Sequence, residues 1–556
     1  MKLKTILISL LVFAEFIATA QSDKFVIYFT DKNASPFSIS NPSAFLSPRA
    51  IQRRVVQGIP IQVDDLPVNQ SYINQVAALG VTILNRSKWF NAISIQTNDT
   101  NKVNAIKALP FVAGSQVLNR VSTNRVDYPF TKFDLEAALP IPTEIANKTN
   151  GLSYGLGLNQ IQMIGGDVLH DQGFQGQGMI IAVLDAGFTD VDNMSVFDSL
   201  IASNKILGTR DFVDGGNSVY GFSGHGTSVL STMAANIPGT FIGTAPKAGY
   251  YLLRTEDVFS ENPIEEFNWA AGVEYADSVG VDVINSSLGY TDGFGNPALN
   301  HTYADQDGKS NISSKAAARC ASKGIVVVVA AGNEGSNSFH YISSPADADS
   351  ILAIGAVNSS GNYVGFSSTG PSFDGRIKPN VAAQGSGTTI ASPGGFIGGG
   401  SGTSFASPVT AGMVACLIQA NPTKTCLQII DAIQQSASQF NNPDSLLGYG
   451  IPNFPLANVL ISGIQFNTKN SYGLQQVFPN PFKDKLDFLF NSQETEVLSI
   501  QLIDVSGRKI VESYQKSYPN NPNLIHLNLK QDLAQGFYLF RVISKNGTFE
   551  RKVLRN

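Results

Sequence analysis

The chain reads Gly402-Thr403-Ser404-Phe405-Ala406-Ser407-Pro408 immediately before an apolar segment, residues 409–417. The segment is apolar or small on every side, which is typical of a helix buried at the centre of a domain. Ser404 is therefore expected near the N-terminus of that helix, where free backbone N–H groups and the helix dipole favour negative charge. We predict that Pro408 lies near the first turn, where a missing N–H costs little.

Three other polar residues precede Ser404, each within two positions of a glycine, in the order Asp185, His225 and Asn333. Asp, His and Ser in this chain order form one of the three known arrangements of an acid, a base and a nucleophile. Neutral imidazole can accept the proton of Ser404, and Asp185 would fix its tautomer. The side-chain amide of Asn333 could bind the oxyanion that forms during attack.

Short apolar runs without alternation indicate strands that are buried on both faces, as in a parallel sheet between helices. Functional groups in such sheets gather beyond the carboxyl ends of the strands. Asp185 directly follows one run, and Asn333 follows another after a glycine turn. We predict an α/β domain at residues 154–462, with strands at residues 179–184, 250–253, 281–284, 325–330 and 351–357.

The units on either side of this domain have different patterns of apolar and polar residues. In residues 21–125, strand-like runs at residues 24–30, 89–96 and 111–121 alternate with helical patterns, which predicts a small α+β domain. Short strand-like runs at residues 486–490, 497–503, 524–529 and 537–543 are separated by turn signals and predict an all-β sandwich at residues 474–556. Residues 126–153 contain Pro129, Pro140 and Pro142 and are expected to form a linker with a maturation site.

The first twenty residues are typical of a secretion signal. Lys2 and Lys4 precede an apolar stretch, and Ala18-Thr19-Ala20 supplies a small-residue cleavage site. Glu15 interrupts the apolar stretch, so we expect no transmembrane anchor. The formal net charge of −5 gives no basic surface for nucleic acid, and three cysteines cannot form a disulfide framework.

Residues 154–460 resemble the subtilase family of serine endopeptidases, because all of these segments occur in the family's order. The resemblance implies Asp185, His225 and Ser404 as a catalytic triad and Asn333 as oxyanion donor, with no cofactor for catalysis. It also implies that Ser287, Leu288 and Gly289 form a strand that pairs with extended protein or peptide substrates. Gly332 would lie in the segment opposite this strand, and Glu334 would lie on the rim of the first specificity pocket.

The two flanking units also resemble known domains. The first unit is similar to the subtilase propeptide, which implies an intramolecular inhibitor that is later cut away. The C-terminal unit, with Val477-Phe478-Pro479-Asn480-Pro481-Phe482, resembles the sorting domain of type IX secretion. That resemblance implies a Gram-negative bacterium, passage through the periplasm, contact with the type IX machinery, and a secreted or cell-surface protein.

Three positions depart from the common family pattern. Ala186 replaces a small polar residue after the aspartate, and Ser228 stands where many relatives have a second histidine. Phe405 replaces an oxidation-prone methionine beside the nucleophile. Structural calcium is a further hypothesis, because Asp292, Asp305 and Asp307 lie in one polar loop, although a solvated loop is the more frequent explanation.

Two other functions remain open at this stage. An inactive scaffold could bind peptides without cutting them, and the same acyl-enzyme could be captured by an amine in a peptide ligase. A lipase-type Gly-x-Ser-x-Gly turn is excluded, because residue 406 is alanine.

Overall fold

The computed structural model describes residues 23–119, 133, 152–461, 472–478, 480–483, 485–518, 523–529 and 533–555. The predicted secretion signal and all of the predicted linker except residues 133, 152 and 153 lie outside these residues. The described parts form an N-terminal α+β domain, a central α/β domain and C-terminal antiparallel sheets, as the sequence predicted.

The N-terminal domain is a four-stranded antiparallel sheet with three helices. The strand order is β2-β3-β1-β4. Strand β2 was not predicted, because its side chains are mostly half-buried and do not alternate clearly. The elements are β1 (Asp23–Phe29), α1 (Pro48–Gln57), α2 (Gln70–Ala77), β2 (Thr82–Ser87), β3 (Ala92–Thr97), α3 (Thr100–Lys107) and β4 (Val112–Asn119).

The central domain is built on seven parallel strands with helices on both faces. Its sheet elements are β5 (Ile180–Asp185), β6 (Ile206–Asp211), β7 (Asn236–Ile237), β8 (Phe241–Ile242), β9 (Gly249–Arg254), β10 (Val283–Ser286), β11 (Val326–Ala330), β12 (Leu352–Val357), β13 (Val381–Gln384), β14 (Thr388–Ala391) and β15 (Ile397–Gly400). The parallel strands have the order β13-β12-β11-β10-β5-β9-β6, while β7-β8 and β14-β15 form small antiparallel pairs.

The helices of this domain vary from one turn to the long buried α10. They are α4 (Leu158–Gln162), α5 (Gly166–Asp171), α6 (Asp198–Ala202), α7 (His225–Ala234), α8 (Ile264–Val279), α9 (Ile312–Ser322), α10 (Thr403–Ala420), α11 (Cys426–Gln435) and α12 (Phe454–Ile461). Among the described residues, α10 is the one helix long and apolar enough to span a membrane, but most of it is buried inside the domain.

Two apolar cores on opposite faces of the sheet explain the continuous hydrophobic runs. Ile181 and Val183 of β5 belong to the core that includes α7 and α10. Ala182 and Leu184, which alternate with them, belong to the core that includes α8 and α9. Each strand therefore needs apolar side chains at successive positions, because both faces are covered.

The carboxyl ends of three neighbouring strands bring polar residues to one edge. Asp185 is the last residue of β5, and Ser287 directly follows β10. After β11 the chain turns at Gly332, whose φ of 109° is disfavoured for other residues. A Cβ at Gly332 would also lie 2.7 Å from Ser368 Oγ. The turn therefore requires glycine and delivers Asn333 to the same edge.

Pro408 lies inside α10 and not near its first turn, so that prediction is wrong. In a regular helix the N–H of residue 408 would bind the carbonyl of Ser404, four residues earlier. Proline has no N–H, and Ser287 Oγ donates to the Ser404 carbonyl instead, at 2.8 Å. A contact from another element satisfies the carbonyl and allows proline in the second turn.

Two antiparallel sheets form the C-terminal unit and share one apolar core. Their orders are β16-β17-β20 and β19-β18-β21-β22. The sequence did not predict β16, β19 or β22, whose side chains are mostly exposed or half-buried. The strands are β16 (Gly473–Phe478), β17 (Lys485–Asn491), β18 (Glu496–Asp504), β19 (Lys509–Ser517), β20 (Asn523–Asn528), β21 (Gly536–Ser544) and β22 (Gly547–Arg555).

The close packing of α10 can be tested at Gly412. A Cβ at this position would lie 2.0 Å from Thr244 Oγ1 and 2.9 Å from Thr244 Cβ. We expect Gly412→Ala to lower the free energy of unfolding by about 1–3 kcal/mol, because the helix must move away from Thr244. Thermal unfolding of the full chain measures this change. Gly221→Ala is the matched control, because no atom lies within 4 Å of its Cβ position; equal stability of the two variants would contradict the packing argument.

Candidate active site

The acid and the base predicted from the sequence are in direct contact. Asp185 ends β5 and His225 begins α7, and Nδ1 of His225 lies 2.8 Å from Oδ1 of Asp185. Both side chains are buried. Gly226 allows the approach, because a Cβ there would lie 2.4 Å from the Gly187 carbonyl oxygen and 2.9 Å from Asp185 Cβ. A larger residue than glycine at position 226 would therefore collide with the aspartate segment.

The two carboxylate oxygens of Asp185 have different surroundings. Oδ1 also accepts the backbone N–H of Ala186 at 2.7 Å. Oδ2 is buried, and no described residue donates a hydrogen bond to it. The residue that follows the aspartate has only a methyl side chain, so it cannot supply a hydroxyl donor.

Ser404 is the second residue of α10 and is buried at the N-terminal end of the helix. Two side chains on and beside β10 attach this end of the helix to the sheet. Ser287 Oγ donates to the Ser404 carbonyl at 2.8 Å, and Ser407 Oγ donates to Asn285 Oδ1 at 2.8 Å. The ring of Phe405, the next residue, lies 6.2 Å from the imidazole of His225 between centroids. The serine segment and the histidine thus border the same region.

Thr403 fixes the orientation of the Asn333 side chain. Oδ1 of Asn333 accepts both the backbone N–H and the hydroxyl of Thr403, each at 2.9 Å. The hydroxyl of Thr403 in turn accepts the Gly332 N–H at 3.3 Å. The sequence did not predict this positioning residue, although Thr403 stands immediately before the predicted nucleophile.

A cleft of about 590 Å³ extends from Ser404 and Asn333 along the sheet edge. Its lining contains the other residues predicted at the site: Ser287, Leu288, Gly289, Gly332 and Glu334. Two glutamates that the sequence did not predict, Glu256 and Glu261, also line it, and its described lining contains no lysine or arginine. Glu256 accepts the Tyr290 hydroxyl at 3.0 Å, and Glu334 accepts the side-chain amide of Asn337. The cleft therefore has an acidic character.

One residue between the N-terminal and central domains covers the candidate base. The ring of Phe133 stacks on the imidazole of His225, with centroids 4.0 Å apart and planes inclined by 19°. Phe133 also lines the cleft. No sequence pattern around Phe133 predicts a contact with a histidine far along the chain.

The loop considered for calcium uses two of its carboxylates in its own turns. Asp305 accepts the Thr302 N–H at 2.8 Å, and Asp307 accepts the N–H groups of Lys309 and Ser310 at 2.7 Å each. Among the described residues, the carboxylates close enough to share an ion are those of three glutamates by the cleft: Glu256, Glu261 and Glu265. Calcium in the loop at residues 291–310 stays a prediction.

Three family models match consecutive parts of the chain. Residues 24–129 match the Peptidase S8 propeptide domain of Bacteroidota, and residues 176–450 match the Subtilase family. Residues 476–556 match the secretion system C-terminal sorting domain. The order of these matches is the order in which the sequence predicted a propeptide, a catalytic domain and a sorting domain.

Two individual relatives from Bacillus agree with the central match. Subtilisin E of Bacillus subtilis (strain 168) is 35% identical over 286 residues, which cover 51% of this chain and 66% of that protein. Subtilisin of Bacillus pumilus is 34% identical over 282 residues, which cover 50% of this chain and 90% of that protein. A solved structure titled prenylagaramide maturation protease PagA covers 54% of this chain and 99% of that one, with 23% identity and a TM-score of 0.42. The family matches and the extent of the Bacillus pumilus alignment show that the chain belongs to the subtilase family and carries the propeptide and sorting domains that accompany it.

Proposed function

We propose that this protein is a secreted serine endopeptidase that hydrolyses peptide bonds through an acyl-enzyme on Ser404. The observation that carries the proposal is the 2.8 Å contact between His225 Nδ1 and Asp185 Oδ1, at the edge of the sheet where Ser404 lies in the first turn of α10. A buried carboxylate beside Nδ1 favours the tautomer that carries its proton there. Nε2 of His225 is then the atom that accepts a proton from serine.

The reaction proceeds in two acyl-transfer steps. Ser404 Oγ attacks the substrate carbonyl while His225 takes the hydroxyl proton, and Asp185 stabilises the imidazolium that forms. His225 then gives the proton to the leaving amine, and the acyl group stays on Ser404. Water attacks the acyl-enzyme by the same route, with His225 again as the base. The serine is regenerated when the carboxylic acid leaves.

The oxyanion of each tetrahedral intermediate would be bound by Asn333 and by the N-terminus of α10. Since Thr403 holds Oδ1 of Asn333 with two hydrogen bonds, Nδ2 is the end of the amide that a substrate oxygen would meet. The backbone N–H of Ser404 lies in the first turn of α10, where the helix dipole favours negative charge. Donors fixed before the reaction stabilise the transition state more than the substrate.

Protein and peptide substrates would bind in extended form along Ser287, Leu288 and Gly289, with Gly332 on the opposite side. Main-chain pairing of this kind gives affinity with modest side-chain selectivity. Glu334 would favour a basic or polar side chain in the first specificity pocket. The acidic lining of the cleft agrees with that preference.

The protein would be synthesised as a zymogen. We assign residues 1–20 to a signal, 21–125 to an inhibitory propeptide, 126–153 to the segment that is cut, 154–462 to the catalytic domain and 474–556 to the sorting domain. Phe133 supports this assignment, because its ring covers the imidazole that must act as base. The sorting domain implies a secreted or cell-surface protein, and we propose export through the periplasm of a Gram-negative bacterium by the type IX machinery.

Two alternatives predict different products. A peptide-binding protein without activity would release no fragments, and a peptide ligase would give products of higher mass when an amine is supplied. No particular contact in the structure favours either alternative over hydrolysis.

Replacement of Ser404 tests the proposal directly. The processed enzyme should hydrolyse casein, and Ser404→Ala should reduce turnover by about 10⁶-fold, because nucleophile and base act as a unit. Ser336→Ala, which removes an exposed hydroxyl outside the cleft lining, serves as the control and should keep full activity. Casein hydrolysis that survives in Ser404→Ala would exclude the acyl-enzyme, and mass spectrometry of a peptide substrate distinguishes hydrolysis from ligation.

Asn333 and Thr403 should contribute to kcat more than to KM. We expect Asn333→Ala to lower kcat by about 10²–10³-fold, the size reported for the oxyanion asparagine of subtilisin. Thr403→Val removes the side-chain donor that positions Asn333 and should cause a smaller loss, while Thr403→Ser restores activity. Steady-state kinetics on a short peptide measure both constants. A Thr403→Val variant with unchanged kcat would show that this hydroxyl does not position the amide.

Phe405 should make the enzyme resistant to oxidation. Its aromatic ring cannot form a sulfoxide, whereas a methionine beside the nucleophile becomes polar and bulky when oxidised. We expect dilute hydrogen peroxide to leave the native enzyme active and to inactivate Phe405→Met. Phe405→Leu is the matched control without sulfur and should stay active. Residual peptidase activity after timed exposure checks this, and rapid inactivation of the native enzyme would contradict it.

A further inference from the structure

The strongest charge cluster outside the active site lies where the N-terminal domain covers α8. Asp277 near the end of this helix has no exposed side-chain surface. Three cations of the N-terminal domain surround its carboxylate: Arg53 at 2.6 Å, Arg54 at 3.0 Å and Lys88 at 2.8 Å. Their side chains are also 90% or more buried. One acid of the catalytic domain therefore joins two parts of the N-terminal domain, helix α1 and the turn after β2.

The neighbouring acid on α8 binds the same turn in a different manner. Glu274 accepts the backbone N–H groups of Lys88 at 2.6 Å and Trp89 at 3.2 Å, and it also accepts the hydroxyl of Ser87. Burial raises the pKa of Glu274 to about 7, in spite of these donors and the charge of Lys88. Glu274 thus contacts the turn mainly through backbone N–H groups. Most sequences could supply these groups, because they do not depend on the side chains.

Asp277 instead recognises charge. Burial raises the pKa of Asp277, but Lys88, Arg53 and Arg54 together lower it well below its ordinary value. The Asp277 carboxylate is therefore ionised while the N-terminal domain covers α8. The three cations stabilise this ionised form. Arg54 keeps a second partner, Asp65 of its own domain, at 2.9 Å. Arg53 and Lys88 have no other carboxylate within ion-pair distance among the described residues.

We propose that Asp277 is the recognition site by which the catalytic domain selects its own propeptide, a partner that presents two consecutive arginines on a helix and a lysine on an adjacent turn. The inference rests on release of the N-terminal domain during the proposed maturation. A propeptide without these cations would bury Asp277 with no compensating charge. Such a cost is large, because one member of a buried ion pair is expensive to leave alone.

An exposed ion pair at the rim of the same interface can be compared with the buried Asp277 cluster. Arg319 of α9 pairs with Asp64 of the N-terminal domain, but its side chain is 45% exposed. Exposed ion pairs contribute little, because water and salt screen them. Removal of Arg319 therefore deletes an interdomain ion pair of ordinary geometry without leaving a buried charge.

Dissociation of the cut complex tests the proposal without any catalytic activity. The full chain would carry Ser404→Ala and the recognition sequence of a site-specific protease within residues 126–153. After cutting, the rate at which the N-terminal fragment leaves the remainder is measured by size-exclusion chromatography at about 0.15 M salt. We expect Asp277→Asn to increase this rate by at least about tenfold and Arg319→Ala by less than about threefold. Equal rates for these two variants would overturn the proposal.

A variant in the N-terminal domain separates recognition from damage to the catalytic domain. Lys88→Met keeps the length of the side chain and removes its charge, so it should also accelerate dissociation. Because Lys88 acts through Asp277, the double variant should dissociate no faster than about twice the rate of Asp277→Asn alone. Effects that multiply fully would show that the two residues act independently, and would overturn the assignment. Since the assay needs only binding, its failure would leave the proposed hydrolysis by Ser404 intact.

Discussion

The contact between the start of α10 and the end of β10 fixes the position of the candidate nucleophile. Ser287 Oγ donates to the Ser404 carbonyl at 2.8 Å, in place of the N–H that Pro408 lacks. A buried acceptor that loses a donor without replacement costs about 1–3 kcal/mol. Ser287 also begins the segment along which we expect substrate to bind. One hydroxyl therefore links the expected substrate segment to the candidate nucleophile.

A strand or helix could be predicted where its surroundings leave a clear pattern in its own residues. Strand β11 reads Val-Val-Val-Val-Ala, all buried, because cores on both faces require apolar side chains. Strand β6 has the same parallel pairing but lies at the edge of the sheet, and most of its residues are half-buried or exposed. It therefore has no continuous apolar run to reveal it. The position of Asp185 and Asn333 at strand ends followed from the buried strands alone.

The supporting contacts of the site could not be predicted, because they join residues far apart in the chain. Thr403 positions Asn333 across a separation of 70 residues, and Phe133 stacks on His225 from a different part of the molecule. No local pattern carries this information. The error at Pro408 has the same origin, since propensity places proline at a helix start and only a tertiary donor permits it in the second turn. Local rules thus indicated the candidate reacting groups but not the residues that contact them.

Asp185 and Asp277 show two different uses of a buried carboxylate. Asp185 and its partner His225 both belong to the central domain, and the second oxygen of Asp185 has no donor among the described residues. Asp277 has three cations, but all of them belong to the domain that would leave. A surface that is covered only temporarily must afterwards tolerate water. Carboxylates satisfy this requirement better than an apolar patch of equal area, because water solvates them well once the cations leave. A buried carboxylate such as Asp277 is therefore well suited to an interface that would form only temporarily.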